Sequence, residues 1–377
     1  MSGAADTGDA TAGERDAVRV VLGMPLYNNV KFLAEAIKSI RAQTYSGFVV
    51  VMLDDCSTDK TEIIAGRWVR RDDRFSYVRS NKRLGMAAAW RRVYELARIR
   101  APGAQYFAWV SDHDRWDPEW LATLLSVLDG DRALVLAYPR TVKIAPRGTP
   151  RDTVDPAFFA TVGISDPVAR WDYTCQRLMG AGNMIYGLFR IDILKQVGVF
   201  RGVLLPDRLL LVELALLGQI RQVGRVLWYR RYLARSTLGR QRGALFGARG
   251  APWWTYLPWW FVHAVAIWRN YTGESTDELR LSKRQILGMS ARYARSQFQV
   301  VWRKRMLKMR TARIWAPFRR SRVARLESLE PPVQAPEARD RIRRASSASR
   351  PRADRDGARG PDGGDGTGRR PKFPGRS

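Results

Sequence analysis

Cysteine and histidine are almost absent from this chain, with two of each in 377 residues. Cys56 and Cys175 are too few for a disulfide framework, and a reducing compartment is the simpler reading. His113 and His263 are too few and too far apart in sequence to read as a metal site. No run of eighteen or more apolar residues occurs, so a membrane-spanning helix is not expected. The longest candidate, Trp253–Trp268, is broken by Pro258 and His263. No phosphate-binding loop is present, and no Gly-x-Gly-x-x-Gly follows a strand-like run. Met1 to Asp16 are small and polar, without a charged-then-apolar leader pattern, and are expected to be disordered.

Acid is also missing from one place. The net charge is +29, and Arg280–Leu326 holds 15 basic residues and no acidic one, about half of that charge. A local field of this kind attracts a local anionic partner. From Glu327 onward Pro, Gly, Ser, Arg and Asp dominate, which predicts a disordered tail.

The first part of the chain alternates between two periods. Val18–Gly23, Phe48–Leu53, Phe75–Val78, Tyr106–Val110 and Ala133–Tyr138 are short apolar runs of strand length, and Thr141–Ile144 adds a sixth. Between them, Val30–Ala42, Thr58–Trp68, Gly85–Ala97 and Glu119–Leu128 carry apolar residues at helical spacing. Alternation of this kind predicts a parallel doubly wound sheet, which binds ligands at the carboxyl ends of its strands.

Three polar clusters fall at such ends. After the first strand comes Met24-Pro25-Leu26-Tyr27-Asn28-Asn29, where Tyr27 can stack on a flat base. After the second comes Asp54-Asp55-Cys56-Ser57-Thr58-Asp59. Two adjacent carboxylates at a strand end are costly without partners, and a base imide N–H or a ribose hydroxyl would serve. Capping of the next helix accounts for one of Ser57, Thr58 and Asp59 but not for Asp54 and Asp55. After the fourth strand comes Ser111-Asp112-His113-Asp114-Arg115-Trp116-Asp117-Pro118. Asp112 and Asp114, two apart on a turn, can aim at one hard cation, Mg2+ or Mn2+. Further on, Asp207 opens the apolar stretch Leu204–Leu217, where a partly desolvated carboxylate could take the proton of a hydroxyl nucleophile. Glu213 is the reserve candidate, and Cys175 reads as a core thiol.

These segments together resemble the family 2 inverting glycosyltransferases. The likeness is carried by Pro25-Leu26-Tyr27-Asn28, Ala42-Gln43-Thr44-Tyr45, Asp54-Asp55-Cys56-Ser57-Thr58-Asp59, Asn81 with Gly85, and the Asp112-His113-Asp114 segment. Gly180-Ala181-Gly182-Asn183, Val197-Gly198-Val199-Phe200, Pro206-Asp207 and Trp228-Tyr229-Arg230 extend it to roughly residues 18–238. The resemblance implies a GT-A-like, mostly parallel, Rossmann-like α/β sheet flanked by helices. It also implies Pro25, Tyr27 and Asp55 around the nucleotide base, with Asp112 and Asp114 at metal and diphosphate. Asp207 would be the catalytic base, and Gly182 and Asn183 would lie at acceptor or donor sugar. Two positions depart from the family pattern: Cys56 stands where Gly is common, and Pro206 where Glu is common.

The expected division of the chain is a disordered start (1–16), a catalytic domain (17–240), a Trp-rich, basic, helical, membrane-proximal extension (241–326) and a disordered tail (327–377). The expected activity is metal-dependent transfer of a sugar, with inversion, from a nucleotide-sugar donor to a glycan or lipid-linked acceptor. Its expected place is the cytoplasm, peripheral at the inner face of the plasma membrane, on an anionic lipid surface. Two other classes compete. A nucleic-acid-binding protein would use the basic segment, but those residues lie outside the folded half and no recognition motif is present. A nucleotidyltransferase would share the nucleotide site but needs a Gly-rich basic loop after the first strand.

Overall fold

The computed structural model describes residues 18–154, 158–178, 181–231, 238–247, 250–272, 281–303 and 306. The expectations for residues 1–16 and 327–377 lie outside the described residues.

The first half alternates as expected: β1 (Val20–Leu26), α1 (Val30–Arg41), β2 (Phe48–Asp54), α2 (Thr61–Val69), β3 (Phe75–Arg79), α3 (Met86–Arg100) and β4 (Tyr106–Trp109). These strands lie parallel in the order β3-β2-β1-β4. Their side chains alternate between two cores. Val20, Leu22, Met24, Phe48, Val50 and Met52 face one side, and Val21, Val49, Val51 and Leu53 face the other. Burial on both faces explains why β2 reads as one unbroken apolar run.

The second half is mixed. It contains β5 (Arg115–Trp116), α4 (Trp120–Asp129), β6 (Leu134–Ile144), β7 (Pro150–Val154), α5 (Pro167–Arg177), α6 (Ala181–Met184), β8 (Leu188–Arg190), α7 (Ile191–Gln196), α8 (Pro206–Leu217) and β9 (Gln219–Arg231). The sheet continues β4-β8-β6-β9-β5, with β7 on β6, giving nine strands among the described residues. β6 and β9 pair in parallel, while β8, β7 and β5 run antiparallel to their neighbours. The GT-A-like sheet flanked by helices is therefore present, and its all-parallel part is the half built from β1 to β4.

Several boundaries move for identifiable reasons. Pro25 does not end β1, which runs on to Leu26 beside Asp54. The last bridge of β4 to β1 is at Gly23, so past that point Pro25 meets no neighbour that would miss its N–H. The helix expected from Thr58 starts at Thr61, and Asp59 is the residue that organises the turn. Its carboxylate accepts from Thr61 N at 2.9 Å and from Val30 N at 3.0 Å, joining the starts of α1 and α2. The two runs Ala133–Tyr138 and Thr141–Ile144 form one strand, β6, through Pro139.

The chain continues through α9 (Leu238–Phe246), a 3-10 turn (Trp253–Tyr256), α10 (Trp259–Tyr271) and a helix over residues 283–303, here α11. The boundary expected at 240/241 separates no two bodies, because one compact unit runs to Met306. Ile267, Tyr271, Ile286, Met289 and Tyr293 are buried in the same core as α8. Polar ties reinforce this packing. His263 bonds Tyr293 Oη at 2.6 Å and the Leu204 carbonyl at 2.7 Å. Gln297 donates to the Cys175 carbonyl at 2.5 Å and accepts from Arg208 Nε at 2.9 Å. The physical reason is periodicity: His263, Ile267 and Tyr271 form one stripe, as do Ile286, Met289, Tyr293 and Gln297.

Two buried titratable groups in this region shift in opposite senses. Burial pushes Glu213 up to about 7, with the Arg201 guanidinium 2.9 Å away pulling it back. Burial holds His263 down at about 4, against its bond to the Leu204 carbonyl, and the charges of Arg208 and Arg201 depress it further. The folded chain keeps the Glu213 proton to higher pH than the unfolded chain, so that contribution is lost as pH rises from 4.5 to 7. The unfolded chain protonates His263 first, so that contribution is lost as pH falls from 6.5 toward 4. Between about pH 4.5 and 6.5 the two slopes oppose each other, each amounting to up to about 3 kcal/mol. Denaturant titrations at several pH values should show Glu213→Gln losing stability on acidification through this window and His263→Gln gaining it. Parallel pH profiles for the two variants would show that these residues do not carry the shifts.

Candidate functional site

The carboxyl ends of β1, β2 and β4 open on a cavity of about 370 Å³. Pro25, Tyr27, Asp55 and Asp112 all line it, together with Asn28, Arg83, Trp90, His113, Tyr186 and Ala244. This volume lies within the range of small-molecule sites. Four residues selected from three separate sequence clusters thus share one space.

Each carboxylate has a distinct environment. Asp54 is fully buried and engaged with protein: it accepts from Ser57 N at 2.8 Å, Tyr77 Oη at 2.7 Å and Arg79 Nη1 at 2.9 Å. Asp55 accepts from Leu84 N at 2.5 Å and Gly85 N at 2.9 Å, which caps the entry to α3. Burial raises its pKa, while those two N–H groups and Arg83 pull it down. The protein therefore supplies the partners that the adjacent acids require. Asp55 still lines the cavity, with one further lone pair on each oxygen.

Asp112 faces the cavity. Its Oδ1 accepts from Asn29 Nδ2 at 2.9 Å and meets His113 Nδ1 at 2.7 Å, and its Oδ2 is 3.5 Å from Tyr27 N. His113 is raised overall: burial lowers it, but Asp112 and Asp114 outweigh that. Asp114 turns the other way and is 1% exposed. It accepts from Trp228 Nε1 at 3.1 Å and Arg231 N at 2.7 Å, both on β9. Burial raises its pKa, opposed by His113 and the Arg231 N–H.

Among the described residues no group of three or more His, Cys, Asp or Glu is arranged around one point. The donor set still suits a hard cation of magnesium's type. That ion takes one or two carboxylates and draws its other ligands from phosphate and water. Asp112 is the carboxylate placed for this, with Asp114 directly behind it.

Asp207 sits at the start of α8, after Leu205, whose φ of 52 is left-handed and strained for a branched residue. Burial raises its pKa, while the Arg208 N–H and the charges of Arg208 and Arg230 lower it. Gly182 lies beside it: a Cβ there would be 3.8 Å from Arg230 and 3.9 Å from Asp207. Asn183 accepts from Arg230 Nη1 at 2.7 Å. Gly182, Asn183, Asp207 and Arg230 thus form one group. Tyr186 lines the cavity, and its phenol is raised by burial and then by Asp114, with Arg230 pulling it back. Glu213, the reserve base, is fully buried against Arg201 and away from the cavity.

Sequence reasoning missed several residues. Arg83 stacks over the Tyr27 ring at 4.1 Å, placing a cation beside the aromatic face. Trp90 and Tyr186 were hidden in helical and irregular stretches. Ala244 arrives from α9, beyond the expected end of the domain. Arg230 was part of the Trp228-Tyr229-Arg230 motif but had no role assigned. Cys56 has φ 63, a conformation that explains why glycine suits this position.

The strand ends of this α/β sheet thus hold a cavity of small-molecule size, with a carboxylate on the Asp-x-Asp turn lining it and a second carboxylate at a helix start. Residues 22–173 match the model of the family described as Glycosyl transferase family 2. The match to this family of glycosyltransferases thus lies in the first half of the chain. It is 28% identical over 103 residues to a putative colanic acid biosynthesis glycosyl transferase of Escherichia coli K12, covering 27% of this chain and 35% of that one. It is 27% identical over 128 residues to a putative teichuronic acid biosynthesis glycosyltransferase of Bacillus subtilis 168, covering 34% of this chain and 48% of that one. The chain thus matches less than half the length of either relative. Among solved structures, S. aureus TarS 1–349 superposes with a TM-score of 0.49 at 16% identity, over 74% of this chain and 72% of that one.

Two backbone positions test the local frame. A Cβ on Gly85, whose φ is +84, would fall 2.4 Å from Gly247 N and 2.6 Å from Phe246 C. Gly85→Ala should therefore cost about 2 kcal/mol or more and push α9 off the cavity. Cys56→Gly should be neutral or up to about 1 kcal/mol stabilising. Thermal unfolding distinguishes them; equal stability of Gly85→Ala and the unmodified chain would contradict the close approach.

Proposed function

We propose that this chain transfers a sugar from a nucleotide-sugar donor to an acceptor hydroxyl with inversion, using a divalent cation, Mg2+ or Mn2+, in the synthesis of a cell-envelope glycan or glycolipid. The observation that carries the proposal is the shared cavity of Pro25, Tyr27, Asp55 and Asp112. The catalytic region is read as roughly residues 17–240, buttressed by the helices after it.

Each residue has a physical task in this reading. Tyr27, paired with Arg83, offers a flat face for the base, and Pro25 and Asp55 border it. Asp112, on the turn that Asp114 fixes, would hold the cation, which would neutralise charge on the leaving diphosphate. Gly182 and Asn183 leave room for a sugar beside Asp207. Asp207 accepts the proton of the acceptor hydroxyl as that oxygen bonds to the anomeric carbon, and the bond from that carbon to the diphosphate breaks with its electron pair going to the diphosphate. Its raised pKa suits a proton acceptor. A single displacement inverts the anomeric centre. Arg230, close to Gly182 and Asn183, adds positive charge at this end.

The names of the two relatives, which concern colanic acid and teichuronic acid, support an envelope polysaccharide or a lipid-linked precursor as the acceptor class. No helix among the described residues is long and apolar enough to cross a membrane. A peripheral position at the cytoplasmic face of the plasma membrane fits such an acceptor. Nucleic acid is not the partner proposed.

A screen of nucleotide sugars for hydrolysis and transfer, with Mg2+, Mn2+ or chelator, tests the reading. Activity should vanish in chelator and return with either metal, and Asp112→Asn should lower turnover by about a thousandfold. Full activity in excess chelator refutes the cation. Asp207→Asn should depress turnover while leaving donor KM nearly unchanged, since the interaction matters in the transition state. Unaltered turnover removes Asp207 from the role, and a retained anomer excludes single displacement. Asp114→Ala should also lower Tm, because it leaves a buried indole N–H and a backbone N–H unpaired, each costing about 1–3 kcal/mol.

A further inference from the structure

Helices α10 and α11 have two faces of different character. The inward face is saturated by His263, Tyr293, Gln297 and the apolar residues around them. The outward face is not. Along α11, Arg284, Leu287, Ala291, Arg295, Phe298 and Trp302 recur at intervals of three and four and are all exposed. Along α10, Phe261, Val265 and Arg269 do the same. The half-buried Trp260, next to Phe261 in sequence, ties the start of α10 to the α11 stripe. Trp260 lies 5.7 Å from Phe298 edge to face, and Phe298 lies 6.2 Å from Trp302 in a stack. Phe261 is 48% exposed, Phe298 47% and Trp302 52%, and in the turn before α10 Trp253 is 71% and Tyr256 68% exposed. Large rings left in water on one face mark a contact surface.

The charge around them selects the partner. Lys283, Arg284, Arg295 and Arg303 are exposed on α11 and make no ion pair among the described residues, while Arg292 pairs with Asp172 at 3.0 Å. No acidic residue occurs from Arg280 to Leu326. A nucleic acid would use the cations but gain little from a hydrophobic Leu287–Phe298–Trp302 stripe. A protein groove would use the stripe but would need a matching block of acid. A bilayer surface with anionic headgroups satisfies both at once, since rings settle at the boundary of water and hydrocarbon and cations settle at the headgroups.

We infer that the outer face of α10 and α11, with the preceding Trp253–Tyr256 turn, docks this chain on an anionic lipid surface in the plane of the interface. The inference deepens the peripheral location proposed above and is independent of the transfer chemistry. It also has a geometric consequence. His263 bonds the Leu204 carbonyl, just before the strained Leu205 and Asp207, so the docking face and the start of α8 belong to one packed unit.

The test uses the full chain and vesicles of phosphatidylcholine with or without phosphatidylglycerol. The chain should float with the anionic vesicles at low salt, and raised salt should weaken the association. Tryptophan emission should shift to the blue on binding. Phe298→Ser and Trp302→Ser change exposed positions and should leave Tm in place while weakening binding by about tenfold each, the worth of one buried ring. Nucleotide-sugar hydrolysis by the variants in solution should be unchanged, so a failure of docking is separate from a failure of catalysis. Absence of binding to anionic vesicles at low salt overturns the inference. So does binding that both variants retain in full, or equally strong binding of duplex DNA, which would make the surface a cation patch alone. A dimer in solution that Trp302→Ser dissociates would assign the face to a second copy instead.

Discussion

The site depends on a carboxylate that never reaches the cavity. Asp114 is buried and binds β9 twice, through the Arg231 N–H and the Trp228 indole. Arg231 completes the tie: its Nε donates to the His113 carbonyl at 2.7 Å, and its Nη2 pairs with Glu35 of α1 at 2.6 Å. The Asp-x-Asp turn is thereby fixed between the parallel half of the sheet and the strand that closes the mixed half. A buried ionised group is stable only when its acceptor sites are filled, so this arrangement is either complete or strongly unfavourable. That all-or-none character leaves Asp112, two residues earlier, aimed at the cavity rather than free on a loop.

The same economy separates the other acids. Asp54, Asp59 and Asp114 organise backbone and neighbouring strands. Asp55 does so while bordering the cavity, Asp112 faces the cavity, and Asp207 stands at the start of α8. Chemically these side chains are identical. What distinguishes them is the number of N–H groups already pointing at each and the burial around it, which for Asp55, Asp59, Asp114 and Asp207 also set the directions of their pKa shifts.

The helices after β9 serve two surfaces. Their inner stripes complete the core that supports α8, and their outer stripes carry unpaired cations and rings. The described helices beyond residue 240 thus help to fix the start of α8, while their solvent face retains the composition that made this stretch read as a separate extension.

Much of the nucleotide half was legible in the sequence. Runs such as Phe48–Asp54 carry their own period, and Pro25, Tyr27, Asp55 and Asp112 all follow such strands, so topology alone brings them to one edge. β5 and β8 were not legible, because two or three residues are too short for any periodic signal and exist only through pairing with distant strands. The opposite aims of Asp112 and Asp114 were equally hidden, since their spacing permits a shared ligand and only the position of β9 decides otherwise. The sequence by itself determined the alternating sheet, the strand-end clusters and the basic, aromatic stripes, all encoded within a few residues of each other. Tertiary structure alone decided which acid faces the cavity, that Arg83 and Tyr186 line it, that Arg230 meets Asn183, and that α10 and α11 pack on the core around α8, because each depends on contacts between segments tens of residues or more apart.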